Sequence, residues 1–139
     1  MEGPSPLQRQ AQWLGWLGLL PFLGGTLLLT IGINEPWVVE GLRNYAAIIL
    51  TFVGAIHWGR ALQLNRTGLI LFSVWPSLYA WACLFLPVEQ GLLLLALGFL
   101  LLLLVDQQLY RASAWFRRLR IQLSLSVSGL LLLGWSITA

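Results

Sequence analysis

Two ionisable side chains lie within an apolar run of this sequence, His57 and, three residues on, Arg60, with Trp58 between them. Such groups are costly in hydrocarbon and mark functional candidates by default. If Arg60 snorkels to the interface, His57 sits only about 4–5 Å deeper, at about 1.5 Å rise per residue. Asp106 closes a second, leucine-rich run and Tyr110 follows one turn later, so a cluster of His57, Trp58, Arg60, Asp106 and Tyr110 is geometrically allowed. Three chemistries fit these residue types. The first is an interhelical clamp, in which the aspartate neutralises a buried histidine and arginine. The second is a pocket for a quinone-like or lipid headgroup, with Trp58 as its wall and Arg60 as its anion contact. The third is a proton relay or a metal or haem ligand. Haem is the weakest, because a bis-histidine site needs a second histidine and the chain has one. No cofactor and no metal site are expected.

The helix that carries His57 must sit among neighbours. Leu50, Gly54, His57 and Ala61 share one of its faces. Ala47, Thr51, Ala55 and Gly59 form a parallel ridge of small residues, the pattern that lets membrane helices approach closely. Ser124 and Ser128, four apart, read as a helix–helix contact rather than a nucleophile, since no basic partner is at hand. Arg117, Arg118 and Arg120 are placed to meet anionic lipid headgroups, or simply to keep their loop on the positive side. Cys83 has no second cysteine to pair with and reads as a passive thiol, in the core or facing lipid.

Five apolar segments can position these residues, at about 11–33, 44–62, 67–86, 88–106 and 120–137, each near the roughly 20 residues that cross a bilayer. Pro21 with Gly24 and Gly25 predicts a kink in the first, and Trp75–Pro76 one in the third. Residues 107–119, arginine-rich with interspersed Trp115, Phe116 and Leu119, read as a short interfacial amphipathic helix. The expected fold is an all-α membrane protein, one domain over residues 1–139, built as a bundle of five transmembrane helices.

Composition excludes most soluble classes. The chain of 139 residues is 58% hydrophobic and only 9% charged, against roughly 25% charged in an ordinary soluble domain. Its mean hydropathy is +0.80. The formal charge of +3 comes from eight arginines and no lysine. These are spread over loops, which argues against a nucleic-acid partner. They set orientation instead. With the N-terminus inside, Arg9, Arg60, Arg66, Arg111, Arg117, Arg118 and Arg120 are cytoplasmic and Arg43 alone is outside, with Glu35, Glu40 and Glu89. The C-terminus is then outside. Trp13, Trp16, Trp58 and Trp115 fall near the inner interface, Trp37 and Trp135 near the outer, while Trp75 and Trp81 are expected between helices.

The segments WLGWLGLLPF from Trp13, YAAIILTFVGAIHWGRAL from Tyr45, WPSLYAW from Trp75 and DQQLYRASAWFRRLR from Asp106 resemble the transmembrane-protein-69-like family of uncharacterised membrane proteins. Its most specific part is the F-x-G-x-x-H-W-G core at Phe52 to Gly59. The resemblance implies a bacterial inner-membrane protein with mitochondrial relatives, and brings no catalytic or ligand residues. The expected role is non-enzymatic: an accessory or structural subunit of a larger respiratory or photosynthetic membrane complex, or a homo-oligomer. The alternative is a small transporter, channel or quinone- or lipid-binding module built on His57, Arg60 and Asp106.

Overall fold

A computed structural model describes residues 3–109 and 114–139. All regular structure among them is helical, in the order α1 (Pro6–Leu17), α2 (Leu20–Thr30), α3 (Pro36–Gly54), α4 (Ile56–Leu64), α5 (Thr67–Cys83), α6 (Val88–Leu109) and α7 (Ala114–Thr138). Four stretches are long and apolar enough to cross a membrane: Pro6–Thr30, Pro36–Leu64, Val88–Asp106 and Ala114–Thr138. Helix α5 is apolar but shorter, at 17 residues.

The boundaries follow local chemistry. Ser5 caps α1 by accepting the Gln8 N–H at 3.1 Å, and Pro6 takes the first turn, where its missing N–H costs nothing. The first membrane helix therefore starts ahead of residue 11 and is broken at Gly18–Leu19. Pro21 accounts for the place: it has no N–H to give and its ring crowds the carbonyl four residues back. The Gly18 carbonyl accepts the Tyr45 hydroxyl of α3 at 2.9 Å, so the break is tied to a neighbour. At the far end Gly32 adopts φ +95°. Gly32 N–H bonds to Leu29 O at 3.1 Å and Ile33 N–H to Leu28 O at 2.9 Å, a Schellman stop.

The second membrane helix begins at Pro36, eight residues ahead of the expected residue 44. Proline at the first helical position explains the start, and Val38, Val39 and Leu42 are buried, which gives this turn an inner face. A one-residue interruption at Ala55 separates α3 from α4. Asn65, left-handed at φ 52°, ends α4 as the Arg66 N–H folds back to Ala61 O at 3.1 Å. The described parts of the expected interfacial segment 107–119 are the end of α6 and the first turns of α7, with no separate helix among the described residues. Leu119 and Arg120 are the first buried residues of α7, so the helix enters the bundle contact in its second turn.

Helices α2, α3, α6 and α7 close a ring, each packing on the next, and α5 lies against α3, α4 and α6. Phe22, Leu50, Leu95, Leu102 and Leu131 fill the centre. Close approach is made by small residues. A Cβ on Gly54 would meet the Pro76 ring at 2.6 Å, and one on Gly98 would meet the Tyr79 ring at the same distance. The Tyr79 hydroxyl donates to Leu94 O at 2.5 Å and ties α5 to α6. The Ser128 hydroxyl donates to Ala96 O at 3.3 Å, and Thr26 to Leu130 O at 3.3 Å, across α6–α7 and α2–α7. Helix α5 runs through Pro76. Trp75 is half-buried against Phe72 and Tyr79, whereas Trp81 is 60% exposed and stacks edge-on with Phe85 rather than between helices.

Because the Pro76 ring is rigid, Gly54→Ala overpacks the α3–α5 crossing and is expected to cost about 1–3 kcal/mol. Gly59, with nothing within 4 Å of a new Cβ, accepts alanine without loss. Thermal unfolding of both variants in the same detergent checks the contrast; equal midpoints would refute the packing assignment.

Candidate functional site

Asp106 is the chemical centre of the molecule. It stands one turn from the end of α6, only 7% exposed. Its Oδ2 pairs with Arg120 Nη2 of α7, and its Oδ1 lies 2.5 Å from His57 Nε2 of α4. The imidazole is fully buried. One carboxylate thus meets a guanidinium on one oxygen and an imidazole on the other, joining three helices. Helix α4 packs its backbone chiefly on α5 and α3 among the described residues, and the His57–Asp106 contact ties it to α6 and, through Arg120, to α7.

Burying either charge alone would be prohibitive, while a hydrogen-bonded pair is tolerable. The geometry therefore makes Asp106 obligatory once Arg120 is inside, and the reverse. His57 is further fixed by a ring contact: its centroid lies 5.3 Å from that of Phe72 at an interplanar angle of 89°. Phe72 stands 5.7 Å from Trp75, and Trp75 5.8 Å from Tyr79. This aromatic series runs along one face of α5, from the polar cluster to the Tyr79–Leu94 hydrogen bond. Part of this series lies in the WPSLYAW string, and the spacing of 72, 75 and 79 is its signal in the sequence.

The expected residues divide as follows. Leu50, Gly54, His57 and Ala61 are all buried, on one face of α3 and α4. Of the parallel small-residue ridge, only Ala47 is buried; Thr51, Ala55 and Gly59 are exposed. The helix turns its Gly54 face inward because Pro76 needs a glycine opposite it. Trp58 is 47% exposed, rotated about 100° around α4 from the buried His57 that precedes it. Arg60 is half-buried one turn beyond His57. Arg117 and Arg118 are exposed, as a headgroup contact requires, but Arg120 is buried in the Asp106 pair and is not at the surface. The cause is helical rotation: Arg120 lies on the face of Ser124, Val127, Ser128 and Leu131, all buried. Ser124 and Ser128 lie on that inner face. Tyr110 and Arg111 lie outside the described residues, and Cys83 is buried. No group of three or more His, Cys, Asp or Glu able to hold a metal occurs among the described residues.

Beside this cluster lies a half-open cavity of about 420 Å³ between α1, α2, α3, α6 and α7, with Ile56 of α4 at its wall. Its lining is apolar except for Arg120 and Ser124, one turn apart on α7.

Comparison with known proteins places these residues in context. Residues 7–136 match the model of a protein family described as of unknown function, DUF3429. The chain is 30% identical over 128 residues to transmembrane protein 69 of Xenopus tropicalis, which covers 86% of this chain and 49% of that protein. The chain thus spans about half the length of the curated relative it matches. No solved structure matches it.

Removing one member of the buried pair leaves the other without a counter-charge. Asp106→Asn is expected to destabilise the fold by about 3–5 kcal/mol, and the double variant Asp106→Leu/Arg120→Met to recover most of that loss. Denaturation of Asp106→Leu, Arg120→Met and the double variant in detergent measures the coupling; additive losses would mean that the pair does not hold the bundle.

Proposed function

The chain belongs to the DUF3429 family of unknown function, and within it we propose a non-enzymatic accessory subunit that docks on a larger complex of the bacterial inner membrane. The observation that carries this reading is the use of Asp106. Its two carboxylate oxygens are both engaged by side chains of the same chain, His57 and Arg120. The intramembrane charge therefore serves cohesion of the bundle. Much of the remaining surface is apolar, with Trp37, Phe52, Leu71 and Phe85 each at least 66% exposed. Such a surface suits lipid and the side of another membrane protein.

The threading proposed is five passes, with the N-terminus in the cytoplasm and the last helix ending outside. Four passes rest on the long apolar helices. The fifth is α5, whose 17 residues reach about 26 Å at about 1.5 Å each, close to the roughly 30 Å of hydrocarbon. The arginine distribution supports the direction. A small transporter or channel using His57, Arg60 and Asp106 is the weaker reading, since these groups crowd one end of the bundle and a water path needs polar groups along its length.

Extraction in mild detergent, followed by mass spectrometry of the purified assembly, tests the role. A second membrane protein in fixed stoichiometry is expected. A lone monomer overturns the proposal, and a pure homo-oligomer replaces it with self-assembly. For the threading, a reporter active only outside the cytoplasm and fused after Ala139 is expected to be active; activity of a cytoplasm-only reporter at that position would overturn five passes from a cytoplasmic N-terminus.

A further inference from the structure

The break in the first membrane helix shapes the cavity beside the clamp. Helix α2 packs on both α3 and α7, burying Phe22, Thr26 and Leu29. Helix α1 packs chiefly on α7 and buries no residue. Above Gly18 the first helix therefore leaves α3, and the gap is the cavity of about 420 Å³. That is within the size of small-molecule pockets, roughly 300–1,000 Å³. Its rim includes Leu14 of α1, 68% exposed, and Phe52 of α3, 70% exposed. Both lie within apolar stretches, so the opening faces the side of the bundle, where hydrocarbon chains lie.

The lining states what would fit. Phe22, Phe52, Phe99 and Phe116 supply four aromatic rings from four helices, and flat rings pack on such walls by offset or edge contacts. Arg120 and Ser124 supply the polar end. A guanidinium has five N–H donors, and Asp106 cancels its charge. An anionic head would meet the Asp106 carboxylate behind Arg120 and no net positive charge. A neutral carbonyl is the acceptor that this end suits.

We propose that this cavity binds a membrane-soluble quinone, its ring among the four phenylalanines, a carbonyl toward Arg120 and Ser124, and its tail leaving between Leu14 and Phe52. The site stands independently of the accessory role. It also differs from a pocket built on Trp58 and Arg60, because neither residue lines it.

Titration of the purified full chain with decylubiquinone, read by thermal shift and native mass spectrometry, tests the assignment. Expected is one saturable site per chain. Ala11→Phe fills the cavity from α1, which buries no residue, and is expected to abolish binding. Ser124→Ala is expected to weaken it about three- to tenfold. Both variants should keep the wild-type elution volume and the unliganded midpoint; if either does not, Phe52→Trp at the rim takes its place with the same expectation of weakened binding. Equal stabilisation by decylbenzene, which lacks the carbonyls, overturns the proposal. So does full displacement by phosphatidylglycerol, which would make the cavity a seat for an acyl chain, or unchanged affinity in the filled variant.

Discussion

A carboxylate at the end of a leucine-rich helix is the constraint around which this molecule is arranged. Hydrocarbon offers Asp106 no solvent, so the chain must bring its partners, and they come from two other helices: Arg120 from α7 and His57 from α4. That requirement fixes more than a contact. It sets the rotation of α7 about its axis, because Arg120 can reach Asp106 only when Ser124, Val127, Ser128 and Leu131 also face inward. It likewise sets α4, since a buried His57 turns Trp58 and Gly59 outward.

Away from that cluster, cohesion comes from shape and from backbone satisfaction. Apolar side chains gain little by leaving lipid for each other, so close packing and hydrogen bonds must hold the helices. Gly54 against Pro76 and Gly98 against Tyr79 are such approaches. Each backbone group must also find a partner within the protein. Where the helix breaks, Tyr45 supplies one to Gly18. Hydroxyls on the outer surface fold onto their own helix: Thr51 donates to Ala47 O at 2.9 Å and Ser126 to Gln122 O at 2.7 Å. Thr51 is therefore tolerated facing outward, although its small size suggested an inner ridge.

That ridge shows where sequence reading reached its limit. Hydropathy and proline placement expose the helical class and the approximate helices, since both are local. The face of Leu50, Gly54, His57 and Ala61 was legible because an ionisable group selects it. Two small-residue faces lay side by side on that helix, and the close approach of one of them is set by the Pro76 ring opposite Gly54, a fact of a different helix. The start at Pro36 is hidden by Glu40, Gly41 and Arg43, of which Glu40 and Gly41 are exposed and Arg43 lies half-buried against Gly91, on turns whose inner face is Val38, Val39 and Leu42. Arg120 is a different case, because its signal was present. It precedes Ser124 by four residues and Ser128 by eight, which puts it on the face that the two serines mark as a helix contact. Its position in an arginine-rich stretch made it resemble Arg117 and Arg118, which face outward.

Clamp and cavity meet on α7, and their adjacency follows from the same arrangement. Arg120 has one side on Asp106 and another on the cavity wall. The wall exists because Pro21 breaks the first helix and lets α1 follow α7 while α2 fills the ring. A continuous first helix packed on α3 along its length would close the gap between Leu14 and Phe52. It would also leave Tyr45 without the carbonyl it now binds. The break is thus stabilised at one point, and the space it opens ends at a neutralised charge. A polar end reached through an aromatic corridor is what an isolated structural clamp would not need.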